Sequence, residues 1–158
     1  MNVVIRPITE DDIAAAIELL REFAVFEKLD RYFEVTADRL YAALFGPNAF
    51  VEGLMALDGE KAVAHAFFFP EFATFRGQRG YFLEDLFVTE AYRGRGLGEM
   101  MLRRVARRAA ERGFERVDLV VLDWNEPAIE FYKKLGAVGD AHGRQYKFTD
   151  EAFLRLSA

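Results

Sequence analysis

Residues 81–98 read Tyr81-Phe-Leu-Glu-Asp-Leu-Phe-Val-Thr-Glu-Ala-Tyr-Arg-Gly-Arg-Gly-Leu-Gly98, an apolar run that gives way to three alternating glycines. The pattern predicts a strand over Tyr81 to Val88 and a helix over Leu97 to Arg112 that Gly113 stops, with the glycines between them. Alternating glycines remove Cβ atoms where backbone must come close to something, and a helix start presents unpaired N–H groups at the positive end of its dipole. Together they form a cradle for a pyrophosphate; a simple tight turn needs only one glycine. A Walker loop requires Gly-Lys-Ser/Thr, which is absent. A dinucleotide fingerprint requires GxGxxG early in a βαβ unit, whereas this GxGxG lies past mid-chain.

Working outward, Val117 to Leu122 predicts a strand, Glu126 to Leu135 a helix ended by Gly136, and Tyr146 to Phe148 a last strand. Upstream, Val3 to Ile5 is β-branched and runs into Pro7. Thr9 followed by Glu10, Asp11 and Asp12 then supplies a helix N-cap and an acidic first turn. That helix is expected from about Asp11 to Lys28, and a shorter one over Ala37 to Phe45 behind Thr36. Phe50 to Leu57 and Lys61 to Phe69 flank Asp58-Gly59, a hairpin signal, and Pro70 to Gly80 reads as a loop. A hairpin in the first half and alternating strands and helices in the second predict a mixed sheet covered by helices.

With 158 residues, 52% of them hydrophobic, the chain is expected to form a single domain over 1–158 around one sizeable core. Its longest apolar runs are too short to cross a bilayer, and MNVVIRPITEDD lacks the plan of a secretory signal, so a cytoplasmic, membrane-free protein is expected. The absence of cysteine excludes disulfides, thiolate metal sites and a cysteine nucleophile. His65 and His142 have no spacing that suggests a metal pair. A net charge of −5 gives no support for nucleic-acid binding. Arg103 and Arg107, and separately Arg104, Arg108 and Arg112, recur at four-residue spacing, the pattern of a solvated helix face.

Two motifs carry a family resemblance. Arg93-x-x-Gly96-x-Gly98 resembles the acetyl-CoA loop of the GNAT superfamily of N-acetyltransferases, and Asn125-Glu-Pro-Ala-Ile-Glu-Phe-Tyr132 with Gly136 resembles that superfamily's second common motif. Tyr81-Phe-Leu-Glu-Asp-Leu-Phe-Val, Trp124-Asn-Glu-Pro and the opening Val4-Ile-Arg-Pro look particularly like the diamine (spermidine/spermine and thialysine) branch. The resemblance implies an α/β fold with a central mixed, mostly antiparallel sheet, about four flanking helices and splayed strands at the CoA site. It further implies acetyl-CoA as cosubstrate, no metal, a small-molecule amine acceptor and, by analogy, a homodimer.

Amine attack on a thioester needs a proton acceptor, and the thiolate leaving group benefits from an acid. By match, Tyr132 is that acid and Glu84 a water-relayed base, while Glu27, Glu84 and Asp85 bind the cationic acceptor. Independently, Glu84 and Asp85 interrupt an apolar strand, where an unpartnered carboxylate is costly, so they are ion-paired, water-accessible or functional. The cofactor side comprises Leu86, Phe87 and Val88 on the strand, then Arg93, Gly94, Arg95, Gly96, Leu97, Gly98 and Glu99. Asn125, Pro127, Ala128 and Tyr132 complete it.

Further acids of the diamine branch fall on Phe72-Ala73-Thr74-Phe75 and His142-Gly143-Arg144, which hold none, although Glu71 stands nearby. Losing two anionic contacts weakens capture of a long polycation, which favours a shorter amine. Two alternatives remain at this point. One is acetylation of a protein N-terminus or lysine, favoured if 70–80 opens into a groove. The other is a non-catalytic acyl-CoA-binding module, against which Tyr132 and Glu84 argue.

Overall fold

The computed structural model describes residues 2–140 and 142–158. A five-stranded sheet carries the order β1 (Val3–Pro7), β2 (Glu52–Asp58), β3 (Lys61–Ala73), β4 (Gln78–Val88), β5 (Arg116–Leu119). Its first three pairings are antiparallel and β4–β5 is parallel, which is the mixed, mostly antiparallel sheet that was expected. Among the described residues there are five α-helices: α1 (Ile13–Phe26), α2 (Ala37–Phe45), α3 (Leu97–Glu111), α4 (Glu126–Lys134) and α5 (Asp150–Leu156). The described residues form two compact units, one ending at Val120 and one of Val121–Ala158, so the sheet and α1 to α3 lie in the first, α4 and α5 in the second.

Each face of the sheet owns a core. On one face Leu97, Met101, Val105 and Ala109, a four-residue repeat along α3, pack against Ala56, Ala64, Ala66, Phe68 and Leu83. Each fully buried aliphatic there is worth about 1.5–3 kcal/mol relative to exposure. On the other face Ile13, Ala16 and Leu19 of α1 and Leu40 of α2 cover Met55 and Phe67. The start of α1 is pinned by Asp12. Its carboxylate takes both Arg6 guanidinium nitrogens at 2.6 and 2.9 Å and the Thr9 backbone N–H and hydroxyl at 2.7 and 2.9 Å. The bond from Arg6 holds the Asp12 carboxyl well below the usual carboxylate range. The 3₁₀ turn Glu10–Asp12 delays the expected helix start to Ile13.

Two expectations need correction. Most of the stretch 70–80 is hairpin rather than loop: β3 continues through Pro70 to Ala73 and pairs with β4 from Gln78 onward. Pro70 is tolerated because β2 stops pairing with β3 at Phe68, leaving Pro70 on a sheet edge. The strand expected over Tyr146–Phe148 is not formed, since no described strand pairs with it and three residues cannot hold extended structure alone. Arg103, Arg104, Arg107, Arg108 and Arg112 are all exposed, as expected of a solvated helix face. Arg108 Nε and Arg112 Nη1 donate to Glu52 on β2 at 3.0 and 2.9 Å, and Arg112 also reaches the Tyr81 hydroxyl on β4. Tyr81 in turn donates to Glu52, so these groups bind α3 to the sheet.

Candidate active site

The site is built on the second half of β4. Phe67 of β3 is in register with Asp85 and Phe68 with Leu83, so Glu84 is an extra residue, a β-bulge that interrupts strict alternation. Glu84 is exposed while Asp85 lies half-buried beside it. Glu27, immediately after α1, is brought to the same place: the Glu84 charge acts on both Glu27 and Asp85. Burial, then Glu84, then Glu27 push the Asp85 carboxyl up to about 7. Burial and Glu84 likewise raise Glu27. Partial burial beside the Glu84 charge disfavours ionisation of Glu27 and Asp85, a penalty that a bound cation relieves.

The pairing of β4 with β5 ends just before this point. Their ladder runs from Gly80↔Arg116 to Leu83↔Leu119, and among the described residues no strand pairs with Glu84–Val88 on that side. That side of β4 is therefore an unpaired strand edge beside Leu86, Phe87 and Val88, on which the Val88 carbonyl accepts from Arg93 Nε. Beyond a 3₁₀ turn at Glu90–Tyr92, Gly94 and Gly96 take left-handed φ values of 72° and 80°. A Cβ at either would meet nothing within 4 Å, so the space beside the loop is open. Gly96 is the N-cap of α3 and has no side chain to cap it, and the first N–H to find an acceptor in the helix ladder is that of Met100, bonded to Gly96 O. The N–H groups of Leu97, Gly98 and Glu99 precede it at the positive end of a 15-residue helix. Uncapped donors, an open left-handed loop and a bare strand edge fit a pyrophosphate and an extended amide-bearing arm. Arg95 lies over the Tyr92 ring, 5.7 Å from its centroid.

In the second unit, Asn125 is buried and its side chain accepts from Ala128 N–H at 3.3 Å, opening α4 with Pro127 in its first turn. Tyr132 lies on the same helix, half-buried and edge-on to Phe131. Asn125, Pro127, Ala128 and Tyr132 thus share one helix, as the motif requires.

His65 is fully buried on β3 among Phe23, Phe67 and Phe87, and burial pushes its imidazole down to about 3, so it is a neutral core group. Among the described residues no group of His, Asp or Glu is arranged to hold a metal ion. Glu71 is in register with Gly80, four residues along β3 from Phe67, which sets it roughly 13 Å from the level of Asp85. There burial and Asp118 raise its carboxyl to about 7, and it stands apart from the Glu27–Glu84–Asp85 cluster.

Sequence reasoning missed the aromatic wall beside the cluster. Phe23 and Phe26, three apart on the last turns of α1, pack on Phe87 at 5.2 and 6.1 Å. Their spacing just ahead of Glu27 was the available signal, hidden because it also fits ordinary core packing.

The sequence profile of the Acetyltransferase (GNAT) family matches residues 13–137. The chain is 33% identical to the thialysine N-epsilon-acetyltransferase of Sus scrofa, across 99% of this chain and 98% of the relative. It is 28% identical to L-ornithine N5-acetyltransferase NATA1 of Arabidopsis thaliana, across 94% and 85%. Among solved structures, an integron cassette protein from the mobile metagenome of V. cholerae superposes with a TM-score of 0.82 at 22% identity, covering 99% of this chain and 98% of that one. An aminoglycoside acetyltransferase from an uncultured soil metagenomic sample, in complex with sisomicin, gives 0.78 at 17%, covering 94% and 97%.

Proposed function

The chain belongs to the GNAT acetyltransferase family, and on that premise we propose that it moves the acetyl group of acetyl-CoA onto a primary amine of a small diamine or amino-acid-like acceptor. The observation that carries this is one continuous stretch: the bulged carboxylates of β4 lead directly into an unpaired strand edge and an uncapped glycine loop. Acceptor and cofactor features are thereby set within a few residues of each other.

Acetyl-CoA supplies an activated thioester. The N–H groups at the start of α3 and the backbone of Gly94 to Gly98 hold its pyrophosphate, while the β4 edge at Leu86, Phe87 and Val88, which β5 leaves unpaired, takes the pantetheine amides. Asn125, Pro127 and Ala128 shape the start of α4. Glu27 and Asp85 hold the ammonium of the acceptor. Glu84, exposed and therefore wet, accepts through water the proton the amine must lose before it can attack. Tyr132 is the acid that gives its proton to the departing thiolate. All 158 residues act in this reading as one catalytic domain. By analogy with other members of the family the active form is a cytoplasmic homodimer.

Pairing of 70–73 with β4 argues for the small acceptor, since the groove that a protein tail would need from an open 70–80 loop is closed by strand pairing. The thialysine and ornithine enzymes among its relatives act on small amines of this kind. A thiol-release screen of thialysine, L-ornithine, short diamines, spermidine and lysine-bearing peptides against acetyl-CoA tests the assignment. Turnover is expected with the short amines and not with peptides. Turnover confined to peptides contradicts it.

A further inference from the structure

Arg93 occupies the first position of the glycine motif, where a cation invites assignment as a phosphate ligand, yet its side chain turns toward α1. Its Nε donates to the Val88 carbonyl at the end of β4 at 2.8 Å. Its guanidinium carbon lies 4.4 Å from the centroid of the Phe26 ring and 5.4 Å from that of Phe87, both within the range of cation–π attraction. Phe87 is itself packed on Phe23 and Phe26. One side chain therefore touches the strand end, the last turn of α1 and the loop from which it springs.

Glu27 follows Phe26 directly, and α1 ends there: the N–H groups of Glu27, Lys28 and Leu29 donate to Phe23, Val25 and Ala24, and Lys28 breaks the helix with φ of 60°. Such a terminal turn has few bonds of its own and depends on side-chain packing to stay formed. We propose that Arg93 is a positioning residue that braces this turn. By stacking on Phe26 while tied to Val88, it fixes Glu27 against Asp85 and Glu84, and it couples the order of the glycine loop to capture of the amine. The brace rests on the reading of the loop as the acetyl-CoA site and of the carboxylates as the amine site. Lysine cannot replace the brace, since it keeps the charge but has neither a planar face to stack nor an Nε to hold the carbonyl.

The test compares Arg93→Lys and Phe26→Leu with the wild type, using hydrogen exchange without cofactor, calorimetric titration of CoA, and kinetics with L-ornithine. Both variants are expected to speed exchange at the Glu27, Lys28 and Leu29 amides about tenfold. Both should raise the KM for L-ornithine ~10-fold with kcat nearly unchanged, while CoA affinity stays within ~3-fold. If Arg93→Lys instead weakens CoA binding and leaves exchange at 27–29 and the amine KM at wild-type values, Arg93 is a phosphate ligand and the brace is overturned. If the wild type turns over no amine while both variants loosen the turn, the site assignment fails and the brace stands, because exchange is read on the protein alone.

Discussion

Burial and the charges of Glu84 and Glu27 move the Asp85 carboxyl from 3.8 to about 7, which makes its proton part of the fold's energetics. The folded value lies above the unfolded one, so the native state holds the proton more tightly. The stability this contributes is complete below about pH 4 and lost as pH rises through about 7. Asp85→Asn, which removes the titration, should therefore gain stability relative to wild type progressively across that window in urea denaturation; parallel pH curves for the two proteins contradict the burial argument. For Tyr132→Phe the expected outcome is a kcat lowered on the order of 10²-fold with CoA affinity unchanged, and an unaltered rate removes the acid role. At this scale the carboxylates were legible because two charges in an apolar strand demand a reason. Their sidedness was not, since strict alternation puts Glu84 and Asp85 on opposite faces and the bulge that changes this depends on β3 register. The contact between Phe26 and Arg93 went unread for a related cause: it joins elements 67 residues apart in the chain, with helix spacing and motif position each offering a simpler account.

Among the elements, α3 and its loop were the most legible, because alternating glycines, a four-residue apolar repeat and a terminal Gly113 all point to one structure. Gly96 sits at φ of 80° with open space beside it, so a Val there meets no protein atom and acts through backbone strain of about 1–2 kcal/mol and through the ligand's space. Gly96→Val should therefore lose CoA affinity far beyond what that modest strain would cause, and retention of affinity would move the pyrophosphate site elsewhere. α2 was also fixed by local signals, with the Thr36 hydroxyl accepting from Arg39 N–H as an N-cap does. The hairpin β3–β4 was not, because Pro70 looks like a strand breaker until its place on an edge is known. The last helix, α5, followed the same Thr-then-acids signal at Thr149, Asp150 and Glu151 that marks the start of the first helix, and was hidden by the alternation of 146–148 just before it.

For the molecule as a whole, the mixed sheet followed from the order of local patterns and its mostly antiparallel polarity from the family resemblance, while the two separate cores required the real register. α1 and α2 cover one face, and α3 covers the other. Of the candidate site, the residues on β4 and the loop after it were readable, since strand, acids and glycines are contiguous in sequence, while the bulge was not. No helix among the described residues is long and apolar enough to cross a membrane, and the net charge of −5 leaves the acidic cluster of Glu27, Glu84 and Asp85 in keeping with a cationic substrate. The central claim is acetyl transfer from acetyl-CoA to a small primary amine. Its most direct test is mass-spectrometric analysis of L-ornithine and thialysine after incubation with the protein and acetyl-CoA, with free thiol measured in the same tube. Mono-acetylated amine and thiol are expected in equal amounts. Firm acetyl-CoA binding with neither product would contradict that claim.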